Sequence, residues 1–359
     1  MTSDVHEEDA DSSAPDHSGA RSTIDVEAFA RWMDANGVPG QGELPDLGSL
    51  TGGSQNELTL IRRGGRTMVM RRPPAGAVAE RLDGIRREHR LVKALKGADV
   101  PHAAYVAGTD EADLLGMPFY IMDAVDGWSA ADLGGWAEPF ASDPATRPDL
   151  AYELVRGAAL LGNVDWKARG LEGFGRPENF HERQVDRWLA FLDRVKCREL
   201  PGLDDASNWL RAHKPKHFAP GIMHGDYQFA NVMYHHGAPG RLAAIIDWEM
   251  TTIGDPLLDL GWVMVNWPEE GDDPAAGYVD LTGMPSRDEM CAHYELHSGR
   301  STQDIDYYLI LARWKLGIVL EQGYSRFLAG APVDPKVEAF GPIVLDLIRK
   351  AGEMARRVG

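Results

Sequence analysis

The chain has 359 residues but only two cysteines, Cys197 and Cys291. Two thiols cannot make a disulfide framework or a four-cysteine metal site, and a reducing cytoplasm is the expected compartment. Basic side chains are also in short supply: 37 Lys and Arg face 55 Asp and Glu, a net charge of −18. That balance argues against a nucleic acid partner, because a phosphate backbone calls for clustered cations. Long apolar runs are missing. The most apolar late stretch, Leu309–Leu320, is broken by Arg313 and Lys315 and is too short for a membrane span. The acidic opening, Met1–Asp16, has neither a basic n-region nor an apolar h-region, so no signal peptide is read and no membrane partner is expected. There is no G-x4-G-K-[ST] phosphate loop either. What remains is a chain with 43% hydrophobic residues, enough for a real core. At this length that means two or three structural units, or one large two-lobed enzyme fold.

Residues 1–22 carry acids, Ser, Ala and His with almost no large apolar side chains, and read as a disordered acidic tail. Ile24, Val26, Phe29, Ala30 and Met33 fall at helical spacing before Gly37. The stretch Leu50-Thr-Gly-Gly-Ser-Gln-Asn56 reads as a glycine turn. Leu58–Arg62, a Gly64-Gly65 turn and Thr67–Arg72 then read as a β-hairpin that Pro73-Pro74 ends. A helix is expected over 80–96, with short strands near Tyr105–Ala107 and Phe119–Met122. Beyond about 128 the pattern is mostly helical, over 149–165, 180–196, 203–213, 287–297, 303–328 and 335–357. Ser286-x-x-Glu289 and Ser301-x-x-Asp304 read as capping boxes at two of those starts. Two short strands, Asn231–His236 and Leu242–Ile246, are joined by Gly237-Ala-Pro-Gly240. The expected organisation is a first lobe over 23–124 and a second over 125–359.

The densest polar cluster is Ile222-Met-His224-Gly-Asp226-Tyr-Gln-Phe-Ala-Asn231, followed by Ile245-Ile-Asp247-Trp-Glu249. If the Pro-Gly turn closes a hairpin, Asn231 starts one arm and Asp247 ends the other, so both side chains reach the same rim. Asp226 lies in the loop just before that rim. Two carboxylates and a carboxamide make an oxygen-rich site suited to Mg²⁺. A metal on phosphate oxygens, with a carboxylate to take a hydroxyl proton, is the minimum for phosphoryl transfer to an alcohol. His235-His236 lack spaced partners and read as exposed turn residues.

These motifs resemble the aminoglycoside phosphotransferase and choline kinase group of kinase-like enzymes. The longer run from Asp247 to Asp255-Pro-Leu-Leu-Asp259-Leu-Gly is similar to one branch, which holds bacterial phosphotransferase-like proteins and the kinase-like domain fused to acyl-CoA dehydrogenase in animals. The match runs from about residue 44 to 330. The resemblance implies an α+β, protein kinase-like two-lobed fold, with a small β-rich N-lobe and a larger, mostly helical C-lobe. It implies Asp226 as catalytic base and Asn231 and Asp247 as Mg²⁺ ligands. His224, Asp255 and Asp259 would be structural supports of the catalytic loop. In the first lobe, Gly52, Gly53 and Ser54 would form the turn over the phosphates, and Met122 would lie on the hinge strand beside the adenine. Where a kinase carries its phosphate-pairing Lys, this chain has Arg71-Arg72. The V-A-I-K pattern points to Arg71, with Glu88 as helix partner, while Arg72 would face the other way on a strand; which of the two takes the Lys role stays open.

The expected activity is Mg²⁺-dependent transfer of the γ-phosphate of ATP, or GTP, to a hydroxyl of a small metabolite or antibiotic. The alternative is a catalytically silent nucleotide-binding module, motivated by the missing Lys. A Mg²⁺-dependent phosphate-ester hydrolase is a third reading. Acceptor identity stays open between aminoglycoside, hydroxyacyl-CoA and other compounds, since fold analogy does not carry substrate. Acidic Glu249, Glu269, Glu270, Asp272 and Asp273 could attract a cationic acceptor, or could simply be a solvated loop. Oligomeric state is not legible.

Overall fold

The computed structural model describes residues 24–50, 56–269 and 271–359. The expected disordered tail and the turn residues Gly52, Gly53 and Ser54 lie outside the described residues.

The first lobe comprises α1 (Val26–Ala35), β1 (Asp46–Leu50), β2 (Glu57–Arg63), β3 (Arg66–Arg72), α2 (Ala79–Leu95), β4 (Tyr105–Thr109) and β5 (Phe119–Asp123). Its five strands form one antiparallel sheet in the order β1-β2-β3-β5-β4. Gly64 and Gly65 both take positive φ, which is what a two-residue turn with the right twist between β2 and β3 requires. Side chains on β3 then alternate. Met68 and Met70 join Ile61, Phe119 and Ile121 in a small core under Phe29 and Met33 of α1. Val69 and Arg71 take the other face, opposite Met122 and Tyr120 of β5. That face is covered by α2, whose buried stripe is Ile85, Glu88, Leu91, Val92 and Leu95. One carboxylate thus sits among aliphatic side chains.

The second lobe comprises α3 (Ala130–Leu133), α4 (Pro148–Gly162), α5 (Phe180–Leu192), α6 (Leu203–Ala212), β6 (Gly221–Met223), β7 (Val232–Tyr234), β8 (Leu242–Ile245), β9 (Thr252–Gly254), α7 (Leu257–Met264), α8 (Arg287–Ser298), α9 (Ile305–Leu328) and α10 (Phe340–Val358). Helix α9 is its axis. Tyr307 to Lys315 are buried without a break, because α5, α6, α7 and α10 pack around it. The small β-rich lobe and the larger helical lobe make the kinase-like α+β fold that the motifs imply. Arg87 of α2 ties the lobes together by donating to the Phe174 and Thr251 carbonyls at 2.9 and 3.2 Å. Among the described residues no helix is long and apolar enough to cross a membrane.

The capping box at Ser286 and Glu289 forms as expected. The second, at Ser301 and Asp304, does not. Ser301 Oγ accepts the Gln303 N–H at 3.2 Å in a local turn, and α9 starts without a side-chain cap.

Candidate active site

Residues 224–231 leave β6 and enter β7, and strands of three residues cannot hold such a loop alone. Strand β9 pairs with β6 and β8 with β7, and side chains do the rest. The Asp259 carboxylate on α7 accepts the backbone N–H of His224 at 2.6 Å and of Gly225 at 2.9 Å. Gly225 takes φ +87°, and a Cβ there would stand 2.7 Å from the Met250 carbonyl oxygen. His224 is buried, and its partners assign its tautomer. Nε2 donates to the Ile246 carbonyl at 2.8 Å, so Nδ1 is left to accept the Asp226 N–H at 3.3 Å. Tyr227 completes the anchorage by donating to the Leu154 carbonyl of α4 at 2.8 Å. Asp259→Ala would orphan two buried amides, at about 1–3 kcal/mol each. Urea unfolding of that variant should show roughly 2–6 kcal/mol less stability; an unchanged midpoint would mean that the loop holds itself.

Asp255 does not share this bracing, contrary to expectation. Its carboxylate receives the His181 ring at 2.9 Å, the Tyr308 hydroxyl at 2.5 Å and the Leu257 N–H at 3.1 Å. At the N-terminal edge of α7 it meets a free helix amide and two donors from α5 and α9, and these take up its oxygens. It locks three helices together, not the loop.

The Asp226 carboxylate is held on both oxygens. Oδ1 accepts from Trp262 Nε1 at 2.7 Å and Gln228 Nε2 at 2.9 Å, and Oδ2 accepts from Asn231 Nδ2 at 2.8 Å. The same Nδ2 reaches the Asp226 carbonyl, also at 2.8 Å. The Asn231 amide is therefore oriented nitrogen-inward, with its Oδ1 outside those bonds. Burial raises the Asp226 pKa, against the hydrogen bonds that Trp262 and Asn231 donate to the carboxylate. Ile246 N–H donates to the Asn231 carbonyl at 3.0 Å, which brings Asp247 to the start of β7. Asp247 itself adopts a left-handed backbone (φ +63°), tolerable for a short polar side chain at a cost of about 1 kcal/mol. Its side chain is 41% exposed and lies 3.3 Å from Arg71 Nη2.

Arg71 Nε stands 2.8 Å from Glu88 Oε2, an ion pair lying off the N–H axis. Glu88, with its side chain 2% exposed, also accepts the Tyr120 hydroxyl at 2.9 Å. Burial raises the Glu88 pKa, with Arg71 pulling it back. Burial likewise works against the Arg71 charge, but the negative groups around it, Glu88 and Asp247 among them, win and raise its pKa. Arg72 lies on the opposite strand face and pairs with Glu57 at 2.9 Å. Of the two arginines, Arg71 is the one beside Asp247. Met122 shares its face of the sheet, opposite Val69 and Tyr105.

The Asn231 carboxamide and the Asp247 carboxylate are hard oxygen donors. Mg²⁺ usually takes one or two such protein ligands and completes its shell with phosphate oxygens and water. Among the described residues no three His, Cys, Asp or Glu side chains gather to hold a metal by themselves, so a metal here would need those further oxygens. His235 and His236 are exposed, as their turn position implies.

Two residues beside Asp226 carry no sequence motif. Trp262 looks like helical core, and only the rotation of α7 reveals its bond to Asp226. Lys315 of α9 is 6% exposed, with its ammonium 4.9 Å from the Trp262 ring centre and 5.1 Å from that of Trp188. Burial pulls its pKa down to about 8, while Asp259 and Asp226 pull it back. Its one signal was that it interrupts an apolar run. Of the acids that could have drawn a cationic acceptor, Glu249 stands by the site, where burial and the Asp247 charge raise its pKa, and three others have local partners. Glu269 pairs with Arg313 at 2.6 Å and Arg287 at 3.8 Å, and Asp272 lies 3.5 Å from Lys350. Asp273 caps the Ala275 N–H at 2.9 Å, and Glu270 lies outside the described residues.

A sequence profile of the phosphotransferase enzyme family matches residues 46–293, more than half of the chain. The chain belongs to this family. This phosphotransferase-family protein is similar to acyl-CoA dehydrogenase family member 11 of Gallus gallus, 27% identical over 315 residues, which cover 85% of this chain and 40% of that one. It thus spans well under half the length of that relative. A candidate aminoglycoside phosphotransferase from Ralstonia eutropha has the same fold at TM-score 0.79, with 28% identity over 93% of this chain and 99% of that one. A thermostable aminoglycoside phosphotransferase mutant, in ternary complex with ADP and hygromycin B, shares the fold at TM-score 0.56 and 14% identity, covering 93% of this chain and 98% of that one.

Proposed function

We propose that this protein moves the γ-phosphate of ATP, or GTP, to a hydroxyl of a small molecule, with Asp226 as the base. The observation that carries the reading is the meeting of Asp226, Asn231 and Asp247 from one lobe with Arg71 and Glu88 from the other. The family match supports phosphoryl transfer, and the ADP in the distant ternary complex accords with a nucleotide donor. In the proposed step the acceptor oxygen attacks the γ-phosphorus and the bond to the bridging oxygen of the β-phosphate breaks. The acceptor proton passes to Asp226, and the nucleoside diphosphate leaves. Oδ2 is the better-placed proton acceptor, since it receives one hydrogen bond where Oδ1 receives two. Trp262, Gln228 and Asn231 prevent the carboxylate from rotating, which keeps that oxygen aimed. Asn231 and Asp247 would hold Mg²⁺, which when bound would screen the phosphate charge. Arg71, fixed by Glu88, would grip a phosphate with its outer nitrogens.

An acceptor screen tests the reading. Protein, Mg·ATP or Mg·GTP, and pools of hydroxylated amines, sugars, acids and aminoglycosides would be examined by mass spectrometry for phosphate addition, with Asp226→Ala as the blank. A product that disappears in the blank supports the proposal. Tight nucleotide binding without any transfer would favour the silent module, for which the Arg at the kinase Lys position is the motive. No nucleotide binding would sink both.

A further inference from the structure

Lys315 acts on the buried Asp259 charge from a distance, without bonding to it. Among the described residues its ammonium makes neither an ion pair nor a hydrogen bond, although it is buried in the middle of α9. The nearest carboxylates are committed elsewhere: both Asp259 oxygens accept loop amides, and Asp226 is held by three donors. Two indole faces partly replace the water that the ammonium has lost, but an aliphatic side chain would fill the same space at no electrostatic cost. The charge also has a specific address. Trp262 touches Lys315 with its ring face and Asp226 with its N–H, so a single indole separates the ammonium from the base. On the other side stands Trp188, and Arg187, exposed and 5.7 Å from that ring centre, adds a second cation. Two cations, Lys315 and Arg187, thus stand near Trp188 on the α5–α9 side of Asp226, in a chain whose net charge is −18.

We propose that Lys315 is the anion-binding element of the acceptor site, and that the acceptor is a hydroxylated compound bearing a carboxylate or a phosphate. This rests on the phosphotransferase reading and narrows it. A polycationic acceptor would meet Lys315 and Arg187, while Glu269 and Asp272 are already paired with arginine and lysine. An acceptor anion at Lys315 would give the ammonium the direct ion pair that Asp259 and Asp226 do not make, and would hold the hydroxyl end near Asp226.

Sets of matched acceptors test it. Each ω-hydroxyalkanoate, the hydroxyalkyl phosphate, the diol and the amino alcohol of the same chain length would be given to the wild type and to Lys315→Met with Mg·ATP. The wild type should prefer one anionic series over the diol by about tenfold or more, and the series preferred tells carboxylate from phosphate. In Lys315→Met the anion-to-diol ratio of kcat/KM should fall about 10–100-fold, the scale of a hydrogen bond to a charged group. Preference for the diol or amino alcohol, or an unchanged ratio in the variant, overturns the proposal. If nothing is phosphorylated, calorimetric titration of the same compounds onto the Mg·ADP complex decides it. Tighter binding of an anion than of its diol, lost in Lys315→Met, supports the proposal; equal binding overturns it. Failure to bind Mg·ADP at all would sink the phosphotransferase reading separately, and the anion titration would then be run on the nucleotide-free protein. Should Lys315→Met fail to fold, Arg187→Ala should lower the anion-to-diol ratio several-fold, and no change there would overturn the proposal.

Discussion

Asp226→Ala should keep its affinity for Mg·ATP and lose turnover by about 10²–10⁴-fold, the range expected when a general base is removed. Alanine is the informative substitution because of Asn231. Its Nδ2 is held twice, by the Asp226 carboxylate and by the Asp226 backbone carbonyl, and the second bond survives truncation. Asn231 therefore keeps its orientation. Asparagine at 226 would set one amide nitrogen against another and turn the Asn231 side chain, mixing a base effect with a metal effect. The pH profile gives an independent check. Burial raises the Asp226 pKa, and only the ionised carboxylate can take a proton. Activity should fall as pH drops through that raised pKa, so the acid limb of kcat/KM should stand above the ordinary carboxylate range. Wild-type turnover in Asp226→Ala, or an acid limb at the unperturbed value, would remove Asp226 from the role of base.

What could be read from the chain was what short-range geometry decides. The β2–β3 hairpin follows from two adjacent glycines between alternating strands. The rim that joins Asn231 and Asp247 follows from a turn closing two short arms, although the paired residues are fewer than expected: only Val232–Tyr234 and Leu242–Ile245 are strand. Period-two alternation put Arg71 and Arg72 on opposite faces, but which of them meets Glu88 and Asp247 is seen only in the fold. What could not be read depends on how helices rotate against each other. Nothing local says that Trp262 turns its N–H toward a residue 36 positions earlier in the chain, or that Lys315 points between two indoles. Asp255 failed for a related reason. An acid before a helix can cap it, brace a loop or accept from neighbours, and only tertiary packing selected His181 and Tyr308. Strands β6 and β9 have three residues each, too few to show any alternation, yet they carry the loop that holds the proposed base.

Arg71→Met should do two separable things. It should weaken nucleotide binding, because the proposed phosphate-facing cation is gone, and it should destabilise the fold. The second effect follows from Glu88. With its side chain 2% exposed and Tyr120 as its other hydrogen-bond partner, Glu88 would remain as a buried carboxylate without a cation. Removing one member of a buried pair typically costs about 3–5 kcal/mol. Exposure is the reason to use that range here and not the near-zero value of a surface pair, since Arg71 too is only 13% exposed. The double variant Arg71→Met/Glu88→Gln removes the stranded charge and keeps an acceptor for the Tyr120 hydroxyl. Its unfolding midpoint should return most of the way to wild type, while its Mg·ATP affinity stays low. If stability and nucleotide binding recovered together, Arg71 would act on the nucleotide only by holding the lobe together. If neither recovered, the loss would come from the Asp247 contact, and Asp247→Ala alone should then reproduce it. Recovery of stability without recovery of binding is what a guanidinium fixed by Glu88 and aimed at phosphate requires, and it would show that arginine can stand where a kinase uses lysine.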